Sequence, residues 1–291
     1  MITIENDFIR ISVKEKGAEL CSIYHKMLQK EFLWQADPMI WARHAPILFP
    51  IIGQVQNGEY SYDGQQYKLP QHGFARDSMF ELVECTDEKI TLKLSSSVDT
   101  LAVYPFDFEL YAEFRVDKNQ VLTSYQVVNK SNATMYFSLG FHPGFICPID
   151  EELTFEDYYL EFEKEENINQ LLLDGAFLSD KKINNFTNGT NRIDLSHSLF
   201  DNDAIITEGF KSSYIQIKSD KSPHFVEVGI KDFPMIGLWT KPNANAPYLC
   251  IEPWYGVADE KDSGKNFDEK KEIQKLSVNQ KFSCEFYLKV N

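Results

Sequence analysis

The stretch "FDFELYAEFRVDKNQVLTSYQVVNKSNATMYFSLG", residues 106–140, alternates apolar and polar side chains in three successive runs, broken by polar turns at Asp117–Gln120 and Asn129–Asn132. A period of two puts every second side chain on one face of a strand, so the stretch reads as three long strands of an antiparallel sheet. The same style runs outward in both directions. "FIRISVKEKGAEL" alternates near the start, "EYSYDGQQYKL" carries a hairpin signal at Asp63-Gly64, and "MFELVECTDEKITLKLS" folds back near Thr86–Lys89. The last third repeats the pattern in "SSYIQIKS", "HFVEVGI", "MIGLWTK", "YLCIEPW" and "FSCEFYLKV". Helical periodicity is weak, and short helical pieces are expected only around 38–44, 151–158 and 266–272. Many closely spaced strands without a Gly-, Ser- or Pro-rich linker predict an all-β protein, one large antiparallel sandwich domain over residues 1–291.

Composition narrows the function. Hydrophobic residues make up 43% and aromatics 14% of 291 residues, which supports a large core rather than disorder. With 29 basic and 44 acidic residues the net charge is −15, the wrong sign for nucleic acid or an anionic membrane surface. No apolar run is long enough to span a bilayer, and "MITIENDFIR" lacks the features of a secretory signal. Five scattered cysteines with no CxxC predict free thiols, no disulfide framework and a cytoplasmic setting. Oligomeric state leaves no mark on the sequence.

Six histidines are candidate chemistry-bearing groups. His25, His197 and His224 sit in polar or strand-edge contexts and read as solvated; His44, in "ARHAPILFP", is ambiguous. His72 lies between Pro70 and Gly73 in "LPQHGFARD", where a turn histidine bonded to a carbonyl is the simpler reading. His142 in "SLGFHPGF" ends an alternating run (Met135, Phe137, Leu139) and is fixed at once by proline and glycine. No histidine–carboxylate spacing suits zinc, so no metal is expected. There is no GxSxG elbow for a nucleophile, and no GxGxxG or GxxxxGK loop for a nucleotide, so no cofactor is expected.

What remains is proton transfer on a sugar. Histidine titrates near neutral pH and suits a general acid, while a carboxylate suits the base. Glu252, in "CIEPWYGVAD", is carried by an apolar strand that Pro253 interrupts, although an exposed strand-end carboxylate is the plainer reading. Trp254, Tyr255 and Trp239 offer rigid aromatic area for a pyranose face.

Read together, "RHAPILFPIIGQ", "LPQHGFARD", "SLGFHPGF" and "YLCIEPWYGVAD" resemble the aldose 1-epimerase (galactose mutarotase) superfamily, in the branch with hexose-6-phosphate 1-epimerases and bacterial mutarotase-like proteins. The resemblance covers nearly the whole chain. It implies a β-supersandwich with its site on a concave sheet face, and interconversion of hexose anomers without metal or cofactor. It also implies His142 as general acid, Glu252 as general base, His72 near the ring oxygen, and Arg76 and Arg43 on hydroxyls or a phosphate. Asp203 in "LFDNDAII" matches the aspartate that holds distal hydroxyls, with Asp201 a nearby alternative. Two further readings stay open: a hexose-6-phosphate 1-epimerase, and a sugar-binding or regulatory protein that lost catalysis. A glycoside hydrolase ranks last, because only one carboxylate is well framed.

Overall fold

A computed structural model describes residues 1–291. The chain's 106–140 stretch forms the long strands Phe108–Asp117 and Gln120–Asn129, paired in unbroken antiparallel register from Phe108 with Asn129 to Asp117 with Gln120. The third expected strand instead breaks into Met135–Phe137, paired with Gln274–Leu276, and Leu139–Phe141, which joins a different sheet. The two long strands sit inside a nine-stranded sheet whose edges are Arg192–Asp194 and Glu81–Cys85. Asp63 and Gly64 both take positive φ, 47° and 73°, as the two-residue turn between Glu59–Tyr62 and Gln65–Lys68 demands.

A second sheet of eight strands carries the pocket. Along its main path Phe177–Ile183, Asn169–Asp174, Ile205–Glu208, Met235–Trp239, Tyr248–Tyr255, Leu139–Phe141 and Ile47–Leu48 follow one another, and Gly144–Ile146 also pairs with Tyr248–Tyr255. The two sheets face each other across one continuous apolar cluster of 61 buried residues. Strand Tyr248–Tyr255 shows how the sandwich divides its labour. Leu249 and Ile251 enter that cluster, whereas Tyr248, Cys250 and Trp254 belong to two small clusters on the sheet's other face. Glu252 shares this outer face by the same period of two.

Two glycines let Trp254 lie across its own sheet. A Cβ at Gly237 would sit 2.6 Å from the Trp254 ring, and one at Gly140 would sit 2.7 Å from it. Glycine supplies the bare backbone needed on both sides.

Helix is scarce, as expected, but its placement differs. The one α-helix, Val98–Val103, was not expected; it starts at a reciprocal cap between Ser97 and Thr100, a pair outside the usual Ser/Thr with Glu/Gln pattern. The pieces expected at 151–158 and 266–272 shrink to the 3-10 turns Phe155–Asp157 and Phe267–Glu269. Residues 38–44 contain a turn and no helix. All five cysteines are free, and no helix is long and apolar enough to cross a membrane.

Candidate active site

His142 and Glu252 meet. The Nε2 of His142 lies 3.2 Å from Oε2 of Glu252, although the two residues are 110 positions apart in the chain. Backbone pairing explains the meeting. Gly144 pairs with Cys250 and Gly140 with Trp254, so the intervening loop holds His142 above the strand that carries Glu252. The loop is fixed from the other side by the 44–46 segment: the His142 N–H donates to the Pro46 carbonyl and the Gly144 N–H to that of His44. Glu19 anchors this segment in turn, its carboxylate accepting from the His44 and Ala45 N–H groups at 2.7 and 3.2 Å.

Both members of the pair are buried, Glu252 at 1% exposure and His142 at 8%. Neither is fully hydrogen-bonded: Oε2 of Glu252 and Nδ1 of His142 have no aligned partner, and the Trp254 indole N–H also lacks one. Burial pushes the His142 imidazole down to about 3, helped by the positive charges of Arg76 and Arg43. Burial drives the Glu252 carboxyl well above its ordinary range, reinforced by Asp203 and opposed by Trp254.

These groups line a cleft of about 250 Å³ together with His72, Arg76, Asp203, Trp41, Trp239 and Trp254. His72 adopts a left-handed backbone, φ 64°, and its Nδ1 accepts the Gly53 N–H at 3.1 Å, which leaves the ring proton on Nε2. Its imidazole is held well below the usual value by burial first, then by His142, Arg76 and Arg43. Arg76 donates to the Gln71 carbonyl at 2.7 Å and is pushed down to about 10 by burial and by Arg43. Asp203 is also left-handed, φ 77°, and accepts the Trp239 indole N–H at 2.8 Å. Of the two aspartates weighed from the sequence, Asp203 lines the cleft and Asp201 does not.

Arg43 departs from expectation. It is not part of this cleft; it pairs with Asp77 at 3.1 Å and faces an adjoining one with Lys14, Lys16, Glu19 and Arg76. Tyr255 departs as well. As an odd position it turns to the opposite face, packs on Phe233 and donates to the Asp232 carbonyl. The three histidines read as solvated are engaged: His25 is 5% exposed and accepts the Leu28 N–H, His197 stacks on Phe155, and His224 lies 3.7 Å from Asp150. His44 is buried beside Glu19 and Lys14.

Two neighbours were missed from the sequence. Trp41, in an irregular segment, packs over His142 at 4.9 Å and meets Trp239 edge-on at 5.5 Å. Cys250 shares a strand face with Glu252, and the ligand atoms of His142, Cys250 and Glu252 lie within 4.8 Å of one another. The period-two rule applied backward from Glu252 finds Cys250; no pattern marks Trp41.

Comparison with known proteins supplies the family. Residues 1–269 match the family model described as aldose 1-epimerase. The chain belongs to the aldose 1-epimerase family. Its relatives include the plasmid-encoded protein LacX of Lactococcus lactis subsp. lactis, 32% identical over 283 residues and covering 94% of each chain. Among solved structures, a galactose mutarotase related enzyme from Lactobacillus acidophilus is 37% identical, with a TM-score of 0.96 over 100% of this chain and 97% of that one. A galactose mutarotase-like protein from Lactobacillus casei is 29% identical, with a TM-score of 0.94 over the whole of both chains. The family fold is thus the galactose mutarotase-like sandwich, and a mutarotase-like function on a sugar follows at the level of the family.

Proposed function

We propose that this chain interconverts the α and β anomers of a hexose by acid–base ring opening and reclosure. Glu252 takes the proton from the anomeric hydroxyl, the bond from C1 to the ring oxygen breaks, and His142 gives a proton to that oxygen. The open aldehyde turns about C1–C2, and the same transfers in reverse close the ring on the other face. Protons and electrons balance within the sugar and the pair.

Burial favours the neutral form of each group, lowering the His142 imidazole and raising the Glu252 carboxyl. The roles therefore rest on geometry: across 3.2 Å one group can give a proton while the other takes one. His72, with its proton on Nε2, and Arg76 stabilise charge at the sugar oxygens. Asp203 accepts from distal hydroxyls, and Trp239 and Trp254 supply aromatic surface.

The observation that carries the reading is the buried His142–Glu252 contact with unsatisfied polar atoms at a cleft of monosaccharide size. Polarimetry of freshly dissolved α-galactose and α-glucose tests it: the parent speeds equilibration and Glu252→Gln does not. Equal rates for parent and variant would discard the assignment and favour a non-catalytic sugar binder.

One observation favours a phosphorylated substrate as a second reading. Arg76 lines both the sugar cleft and the adjoining cleft that holds Lys14, Lys16 and Arg43. Turnover of hexose 6-phosphates in preference to free hexoses, lost in Arg76→Ala, is its signature.

A further inference from the structure

Cys250 has no part in the proposed proton transfers, yet its thiol lies beside both groups that carry them. Cys250 and Glu252 are two apart on strand Tyr248–Tyr255 and therefore share a face; His142 reaches the same point because Gly144 is paired directly with Cys250. Imidazole nitrogen, sulfur and carboxylate oxygen all lie within 4.8 Å of one another. We infer that His142, Cys250 and Glu252 form a binding site for one thiophilic divalent cation of the zinc class, which competes with the sugar and blocks turnover.

The donor set selects the ion. One nitrogen, one sulfur and one oxygen suit zinc and its chemical neighbours, whereas magnesium and calcium require oxygen shells. Geometry agrees. Nitrogen and oxygen ligands bound about 2.0–2.1 Å from a tetrahedral ion stand roughly 3.3 Å apart, and His142 Nε2 and Glu252 Oε2 are already separated by 3.2 Å. The thiol, within 4.8 Å of both, is the ligand that has to approach. Three protein ligands leave a fourth position for water. His142 and Glu252 line the cleft while Cys250, fully buried, lies behind them, so the ion would enter from the cleft side.

An independent observation points the same way. Glu252 is 1% exposed and its Oε2 accepts no hydrogen bond. A buried carboxylate oxygen in that state is short of a positively charged or donor partner, and a cation supplies one. Binding occupies both proton-transfer groups at once, so metal-bound protein and sugar turnover exclude each other. The other thiols offer no such set: Cys147 and Cys284 lie within the main apolar cluster, Cys21 bonds to the Ser12 carbonyl, and Cys85 is exposed.

Cobalt(II) titration of the full-length protein carrying Cys85→Ser, after chelator treatment, tests the site. One equivalent is expected to give the near-ultraviolet thiolate-to-cobalt band and the visible bands of a tetrahedral ion, both removed by one equivalent of zinc. Adding Cys250→Ser removes the thiolate band and weakens zinc binding by more than the ~10-fold that loss of an outer-shell partner costs. Turnover without metal stays within about twofold of the parent, since Cys250 carries no step. Should Cys250→Ser fail to fold, absence of the thiolate band with Cys250 intact overturns the inference by itself. Persistence of that band, or of full zinc affinity, in Cys250→Ser overturns it equally. Because the readout is spectroscopic, a chain without mutarotase activity would still decide the metal question, and zinc-free turnover would still decide the activity.

Discussion

Two kinds of buried ionisable group coexist in this molecule. Glu166, at 0% exposure, accepts from the Lys211 N–H, the Ser212 N–H and the Ser212 hydroxyl; Lys270, at 8%, donates to the Val257 carbonyl and to Asp259, which also accepts the Gln56 N–H. Every one of these partners belongs to the protein. His142 and Glu252 are as deeply buried, yet each keeps a polar atom without a partner. Wired groups hold loops; the two left unwired at the cleft are free for something that arrives. At this cleft the difference says more than burial alone does, because burying a polar group without satisfying it is costly.

Glu252→Gln sharpens that contrast most. Removing one positioned proton-transfer group lowers turnover by about 10²–10⁴-fold, which corresponds to roughly 3–5 kcal/mol of barrier. The thermal midpoint is expected to hold or rise, because the variant no longer buries an unsatisfied carboxyl. A calorimetric midpoint that falls in step with activity would reassign Glu252 to structure.

At the wired sites the opposite signature is expected. Lys270→Met strands Asp259 beside the cleft-lining Ala258, and breaking a buried pair costs about 3–5 kcal/mol of stability in a chemical denaturation curve. Glu166→Gln keeps the shape but weakens the acceptors of three donors, for about 1–3 kcal/mol; residual turnover per folded molecule remains that of the parent. Loss of turnover without loss of stability in either variant breaks the comparison.

The smallest effect concerns pH. Burial alone would raise the Glu19 carboxyl, but bonds from the His44 side chain and backbone outweigh it and hold it below 4.5. A carboxylate lowered on folding contributes stability above its unfolded value and loses it as pH falls through the folded one. Glu19→Gln should therefore show a flatter fall in melting temperature between about pH 6 and pH 3 than the parent does.

Much of this was legible in the sequence, and the reason is periodicity. The alternation of 106–129 became two ten-residue strands inside the nine-stranded sheet, and Asp63-Gly64 became the turn of a separate two-stranded hairpin. His142, His72, Arg76 and Asp203 reach one cleft from loops and fixed turns, and Glu252 joins them from mid-strand, since its strand runs past Pro253 to Tyr255. Where reading failed, the cause is physical. Period two counted from Ile23 in "ELCSIYH" puts His25 on the inward face, against the solvated reading that its polarity suggests. Tyr255 was placed at the site for its chemistry, although an odd position on that strand faces the core. Arg43 turned to Asp77, a partner 34 positions away that no local pattern announces. Trp41 lies in irregular chain, where no period exists to be read.

Proton exchange NMR on equilibrated α- and β-hexoses tests most directly whether the two unpaired groups serve a hemiacetal. With the parent protein, exchange cross-peaks between the anomeric protons are expected at mixing times too short for the uncatalysed reaction, and His142→Asn removes them while the protein stays folded. Cross-peaks of equal strength in His142→Asn, or none with the parent on free and phosphorylated hexoses alike, would contradict the account.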